Sequence, residues 1–268
     1  MSRSPNRIVR GDNLAALRTV PTASVSLIYL DPPFNKGAGT GRRKHRQRSK
    51  SLGDYWFDDR FRRFVDFIEP RLREAYRVLA AHGSLFLHLN QREGHRCKLL
   101  LDGIFGRQSF INEIIWAYEQ GRRPQDRWAA QHDSILWYAK DPRRYTFNLS
   151  EARRLLRHSS RRVERTPNTA PTDVWRLSAL HPRSAERTGY PAQKPLALLD
   201  RIVRVHSIPG ELVLDCFAGS GTTGEAAARS GRRYYLIDSN PQAVRIMARR
   251  LAFSQPQIST LAEARDKV

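Results

Sequence analysis

Two short stretches carry residue types whose spacing could do chemistry. The first is Asp31-Pro32-Pro33-Phe34, which follows the apolar run Val25-Ser26-Leu27-Ile28-Tyr29-Leu30. Neither proline has a backbone N–H to give to a ladder, and each holds the residue before it in extended geometry. A strand arriving along the apolar run therefore stops at Asp31. A carboxylate, the carbonyl of Pro32 and an aromatic face then share one rigid turn, an arrangement suited to gripping a flat amine. Asp-Pro and Pro-Pro are also ordinary loop punctuation, so the turn alone leaves a purely structural reading open. The second stretch is Phe217-Ala218-Gly219-Ser220-Gly221-Thr222-Thr223-Gly224, in which a G-x-G-x-x-G spacing opens a helix. Glycines there permit a tight turn and let a ligand approach backbone N–H groups at the positive end of the helix. The strand Glu211-Leu212-Val213-Leu214-Asp215 precedes it. Asp238 ends the next strand about twenty residues on, where it can accept hydrogen bonds from ribose hydroxyls. Together these features predict a nucleoside-containing cofactor.

The elements that must position the two stretches follow from apolar periodicity. Asn13 to Leu17 reads as a short helix. Asp58 to Leu79 reads as a long helix, with Phe61, Phe64, Val65, Ile68, Leu72, Ala75, Tyr76 and Leu79 near a period of 3.6 and a kink at Pro70. Ser84 to Leu89 is a strand and Arg92 to Phe105 a helix, a β-α-β-α rhythm; Ile111 to Tyr118 and Ser134 to Ala139 are further strands. Regularity resumes with the helix Pro195 to His206 and the strand Glu211 to Asp215. A helix containing Ala226 to Arg229, the strand Arg233 to Asp238 and the helix Pro241 to Leu251 follow, and residues after Ser254 read as a frayed tail. His88 and His132 lie at or beside strand ends as structural histidines. A dinucleotide-binding dehydrogenase needs several more β-α units after its Gly-rich turn, and here one strand and one helix remain. Earlier strands must complete the sheet. Both turns then lie at carboxyl ends of parallel strands, and Asp31 and Gly219 should meet.

Composition narrows the partners. The 268 residues suffice for one large α/β domain. Lys plus Arg number 47 against 26 Asp plus Glu, a formal charge of +21, which points to a polyanion. Nucleic acid fits better than membrane, because no apolar run approaches the roughly 18 residues of a spanning helix. The start Met1-Ser2-Arg3-Ser4-Pro5 lacks the apolar segment of an export signal. Cys97 and Cys216 have no metal-ligand spacing, so no metal is expected and a reducing cytoplasm is the default compartment. Lys36, Arg42, Arg43, Lys44, Arg46, Arg48 and Lys50 crowd the Gly- and Ser-rich segment 35–54, a mobile loop placed to close over an anionic ligand. Between Asp141 and Thr188 the pattern breaks up. Arg153, Arg154, Arg157, Arg161, Arg162 and Arg165 crowd a few turns there, as in an inserted surface element.

Asp31-Pro32-Pro33-Phe34 with Asn35, Tyr190-Pro191-Ala192-Gln193-Lys194-Pro195 and Phe217 to Thr223 resemble the motifs of the amino-methylating DNA methyltransferases that use S-adenosylmethionine. They correspond to the catalytic motif, the motif before the Gly-rich strand and the cofactor loop. The order, catalytic motif first and cofactor loop last, is similar to the permuted β group of that family. The resemblance spans roughly Arg7 to Phe253. Tyr190 stands where His is usual, and Asp238-Ser239-Asn240 replaces a more acidic second cofactor motif.

The resemblance implies an open, mostly parallel Rossmann-like methyltransferase sheet with helices on both faces and circularly permuted motif order. Residues 1–140 would form the catalytic half, 141–189 a target-recognition insertion, 190–254 the cofactor half and 255–268 a tail. Asp31, Pro32, Pro33 and Phe34 would be catalytic. Asp215, Phe217, Gly219, Ser220, Gly221 and Thr222 would surround the methionine part of the cofactor, with Asp238 at the ribose and Lys194 in support. DNA contacts would come from Lys36, Arg42, Arg43, Lys44, Arg46 and Arg48, mainly to phosphates, and from Arg153, Arg154 and Arg157 in the insertion that reads the target sequence. Duplex DNA is the implied partner, with a second copy of the chain and a cognate restriction endonuclease beside it. Asp at the first motif position favours adenine N6, with cytosine N4 as the alternative. RNA, a protein glutamine or a non-catalytic nucleic-acid module are the remaining readings. A carbon-methylating mechanism would need a cysteine nucleophile, typically after proline, but Cys97 follows Arg96 and Cys216 lies in the cofactor loop.

Overall fold

A computed structural model of the protein describes residues 5–33, 64–118, 124–157 and 171–265. In chain order its strands are β1 (Arg7–Arg10), β2 (Val25–Leu30), β3 (Leu79–Leu89), β4 (Phe110–Ala117), β5 (His132–Ala139), β6 (Val174–Arg176), β7 (Leu212–Asp215), β8 (Arg233–Asp238) and β9 (Gln257–Thr260). The helices are α1 (Asn13–Leu17), α2 (Phe64–Val78), α3 (Gly94–Phe105), α4 (Leu149–Arg157), α5 (Leu196–His206), α6 (Thr222–Arg229), α7 (Pro241–Arg250) and α8 (Leu261–Arg265). All these strands join one sheet in the order β6-β4-β5-β3-β2-β7-β8-β1-β9. Neighbours are parallel except where β5 runs against β3 and β4.

Strand β2 shows why the sheet is covered on both sides. Its Val25, Ile28 and Leu30 pack with α1, α2 and α3, whereas Leu27 and Tyr29 pack with α5, α6 and α7. A strand buried on both faces reads as a near-continuous apolar run, which is what its sequence shows. Because β2, β3, β7, β8 and β1 are parallel, Leu30, Leu89, Asp215, Asp238 and Arg10 end at one edge of the sheet. Open α/β sheets bind ligands at this carboxyl edge.

Several boundaries differ from the sequence expectation. Helix α2 is described from Phe64 and runs on through Pro70 to Val78, then leads directly into β3 at Leu79. An irregularity between Val25 and Leu27 absorbs the added residues of β3, whose register jumps from Leu79 to Ser84. The expected tail is structured: β9 pairs in parallel with β1 from Arg7↔Gln257 to Arg10↔Thr260, and α8 follows. Strand β1 escapes periodicity reading because four residues with charged ends leave only Ile8 and Val9 to bury. Once β1 lies beside β8, its other edge needs hydrogen-bond partners, and β9 supplies them.

The described parts of segment 141–188, residues 141–157 and 171–188, are also more integrated than the sequence implies. Tyr145 and Phe147 lie against Trp137 at ring-centroid distances of 5.3 and 5.9 Å. Strand β6 pairs with β4, and its buried Trp175 carries the Arg201 guanidinium 5.0 Å from the ring centroid. Among the described residues, no helix is long and apolar enough to cross a membrane.

Candidate active site

The ladder of β2 stops at Leu30, and Asp31 begins the turn that buried Pro32 stiffens. The Asp31 carboxylate is paired with the Lys194 ammonium, and the lysine is buried. The carbonyl of Lys194 accepts the Thr222 hydroxyl at 3.2 Å. Lys194 thus ties the strand-end turn to the first residue of the helix behind the Gly-rich loop. Beneath Asp31, on the same strand, the Tyr29 hydroxyl donates to Nδ1 of His88 at 2.7 Å. Nε2 of His88 donates to Asp133 at 3.3 Å, and the Tyr118 hydroxyl donates to the other Asp133 oxygen at 3.2 Å. Burial and the nearby Lys194 charge push the His88 imidazole down, while its hydrogen bond to Asp133 acts the other way. His88 is a fully buried structural histidine, as its position at a strand end implies.

Around the Gly-rich loop many polar atoms serve the shape of the loop itself. Asp215 accepts from Phe217 N at 2.9 Å and from the Thr223 hydroxyl at 2.6 Å. Asp238 accepts from Gly219 N at 2.9 Å and from Asn240 N at 2.8 Å. Gly219 and Gly221 have φ of +49° and +78°. A Cβ at Gly219 would stand 2.8 Å from Tyr190 Cε1, and one at Gly221 2.8 Å from Met247 Cγ. Both positions therefore need glycine for conformation and for space. Arg250 pairs with Glu225 and donates to the Thr222 hydroxyl at 2.9 Å, bracing the turn from α7.

The electrostatics fit a cationic ligand. Burial, against the hydrogen bonds from Thr223 and Phe217 N and with the charges of Asp31 and Asp238, raises the Asp215 carboxyl to about 7. Asp238 is raised by burial as well. Three carboxylates at the ends of the adjacent strands β2, β7 and β8 thus share one region with the buried ammonium of Lys194. A sulfonium- or ammonium-bearing molecule would relieve their mutual repulsion.

The expected residues sort by exposure. Asp215, Ser220 and Thr222 are buried and engaged within the protein, so they shape the loop; Phe217, Gly219 and Asp238 keep accessible surface. Gly221 is buried at the helix start. Phe34, Lys36, Arg42, Arg43, Lys44, Arg46 and Arg48 lie outside the described residues, as does the whole loop 35–54. Arg153 and Arg154 lie on α4, and Arg157 closes that helix. Asn148 N, one residue before α4, donates to Val205 O near the end of α5, and the chain then turns from α5 into the start of β7. That places α4 at the amino edge of the sheet, opposite Asp31. The structure therefore does not bring Arg153 and Arg154 to the site; Arg154 pairs with Glu151 instead.

Sequence reasoning missed one part of the site, the turn after β1. Asn13 donates to Cys216 O at 2.9 Å and accepts from Arg71 Nε at 2.6 Å. Arg71 also donates to Phe67 O at 2.6 Å, and the Phe67 ring lies 6.0 Å from that of Phe217. Asp12, the N-cap of α1, accepts from Ala15 N at 2.8 Å. The readable signal was Ile8-Val9 followed by Gly11-Asp12-Asn13, a strand and then a capped helix start. Cys97 and Cys216 are both buried and free, and burial pushes the Cys97 thiol up to about 12.

Residues 25–249 match the model of a family described as DNA methylase. The chain belongs to that family. Its Asp31-Pro32-Pro33 turn precedes its Gly-rich loop, the order of the β group. The methylase is 32% identical over 260 residues to the DNA adenine methyltransferase YhdJ of Escherichia coli strain K12, with 91% of this chain and 82% of that protein covered. It is 30% identical over 245 residues to the Type II methyltransferase M.HpaI of Haemophilus parainfluenzae, covering 91% and 74%. Among solved structures, its fold is similar to the PvuII DNA methyltransferase (cytosine-N4-specific), with TM-score 0.69, 17% identity and coverage of 97% and 96%. It is also similar to the DNA modification methylase TTHA0409 of Thermus thermophilus, solved in complex with S-adenosyl-L-methionine, with TM-score 0.63, 24% identity and coverage of 95% and 97%.

Proposed function

We propose that the methylase moves a methyl group from S-adenosylmethionine to the N6 amine of an adenine flipped out of duplex DNA. The observation that carries this reading is the link Asp31–Lys194–Thr222, which joins an amine-gripping carboxylate to a cofactor loop. S-Adenosylmethionine supplies a methyl group activated by a sulfonium. The loop around Phe217, Gly219, Ser220, Gly221 and Thr222 would hold its methionine part, and Asp238 its ribose. Asp215 shapes the loop, and the carboxylate cluster suits the cationic centre.

The target amine is a poor nucleophile because its lone pair is delocalised into the ring. Asp31 and the carbonyl of Pro32 accept its two N–H hydrogens, which localises the lone pair for in-line attack. Phe34, two residues after Pro32, would stack on the base. Lys194 holds Asp31 until the amine takes its place. Extrusion of the base costs a few kcal/mol, and the surplus of Lys and Arg, 47 against 26 acidic residues, offsets it through phosphate contacts. The segment 141–189 bears on target choice through its last part, because β6 runs parallel to β4 and delivers residues 177–189 to the carboxyl edge. The likeness to YhdJ and the Asp at the first motif position support adenine over cytosine. The naming of M.HpaI as a Type II methyltransferase supports a partnership with a cognate restriction endonuclease.

The test is to incubate plasmid with the protein and labelled S-adenosylmethionine, digest the DNA to nucleosides and weigh the product. N6-Methyladenine is the expected result. N4-Methylcytosine alone would overturn the choice of base, and label in RNA or protein but not in DNA would overturn the substrate.

A further inference from the structure

The connection between β4 and β5 leaves the sheet at the same edge as Asp31, because β4 ends there and antiparallel β5 begins there. In the sheet order β5 is two strands from β2 and β4 three, a lateral offset of about 10–14 Å. Its neck is rigid. Tyr118 N donates to Gln131 O at 2.9 Å, and the chain Tyr118–Asp133–His88–Tyr29 ties both sides of the neck to the strand that carries Asp31.

On this anchored connection stands Trp128, 98% exposed, whereas Trp116, Trp137 and Trp175 are buried. An indole held wholly in water costs free energy of hydration that folding could have removed. Exposed Arg127 precedes it, paired with its neighbour Asp126 at the surface, a pairing too weak to hold it from a phosphate. Beside them lies a shallow, open recess lined by Pro124, Gln125, Arg127, Trp128, Ala129 and Gln131.

We propose that residues 124–131 of this connection are a DNA contact in which Trp128 stacks on a base face laid bare when the target nucleotide leaves the helix, while Arg127 meets a flanking phosphate. Bases inside a duplex already have both faces stacked. A π surface becomes free only at the gap that flipping opens or on the flipped base itself. Trp128, almost wholly exposed, has its π face open to such a gap. The assignment rests on the reading that duplex DNA is the substrate.

The test compares wild type, Trp128→Ala and Trp128→Phe on two duplexes: one carrying the site mapped from methylated plasmid, the other the same sequence with an abasic target. Loss of one base–aromatic stack lowers affinity by about 5- to 100-fold. That loss is expected for Trp128→Ala on both duplexes, with most affinity kept by Trp128→Phe and thermal midpoints unchanged because the ring is exposed. Equal affinity of wild type and Trp128→Ala on both duplexes would overturn the proposal. A loss on the intact duplex alone would overturn the gap assignment and put Trp128 on the flipped base. If wild type methylates no duplex DNA, the substrate reading itself fails and the inference with it, a result separable from either of the others.

Discussion

The proposed cofactor side and the proposed target side of the carboxyl edge are built differently. Around Gly219 the loop is closed on itself: Asp215, Asp238 and Arg250 each hold at least two groups of the surrounding turn or helix. Around Asp31 it is Lys194 that meets the carboxylate, and Trp128 on the β4–β5 connection stands in water. A small cofactor has to find its groups already in place, since it brings little surface with which to organise them. A duplex brings a large charged surface and can complete the site itself. The difference teaches where substitutions should act on chemistry and where on binding.

The largest effect should come from Asp31→Asn, which removes the charge but keeps the shape. Turnover is expected to fall by about 10²- to 10⁴-fold with cofactor affinity nearly unchanged, measured by single-turnover transfer and by calorimetric titration. A comparable loss of cofactor affinity would break the division between the two sides.

Second in size is a pH effect confined to the cofactor side. Asp215 is raised in the folded protein to about 7 from its ordinary value of 3.8, first by burial and then by Asp31 and Asp238. The folded state therefore binds a proton that the unfolded state releases between those values. The stability from this group is complete below about 4 and is lost as pH rises through about 7, at up to roughly 1.4 kcal/mol per unit within that window. Denaturant unfolding of ligand-free protein at pH 5, 6, 7 and 8 should show wild type losing more stability with rising pH than Asp215→Asn. Parallel profiles would show that Asp215 is ionised throughout.

Much of this division was readable in the chain. Asp31 was legible because two prolines leave a strand no way to continue, and Gly219 and Gly221 because their spacing precedes a helix. Lys194 was assigned to the cofactor by its motif, whereas the structure puts its ammonium on Asp31, a contact between residues far apart in sequence that no periodicity reports. The amino-edge position of Arg153 and Arg154 was hidden for the same reason: arginine clustering records charge but not which end of the sheet it faces. Four-residue strands such as β1 and β9 are too short for a period of two to stand out.

A smaller effect should follow from Asp238→Ala, which frees Gly219 N and Asn240 N without touching the target side. A loss of about 1–2 kcal/mol, or ~5- to 30-fold in cofactor affinity, is expected from titration, with DNA affinity and its salt dependence retained. The smallest concerns the turn that links the two sides. Ala192 is exposed at φ +55° beside Lys194, and Ala192→Gly should relieve left-handed strain. Relief of about 1–2 kcal/mol, less the 0.5–1 kcal/mol or so of added freedom in the unfolded chain, leaves a slightly higher thermal midpoint. A lower midpoint would mean that the alanine methyl contributes contacts that outweigh the strain.

The pairing of β1 with β8 and β9 has a consequence for synthesis. Arg7 leaves the ribosome long before Tyr235 and Gln257, the residues it faces in the finished sheet. Through most of translation Ile8 and Val9 have no strand to lie against, while β2 and β3 can already pair. Sequence-distant contacts of this kind form slowly, because the intervening chain must be ordered before they repay it. The cofactor half is therefore the last to close, and until then its unpaired strand edges depend on being kept from other chains. Competence to bind the methyl donor should therefore follow the pairing of β1 with β8, a step later than the pairing of β2 with β3.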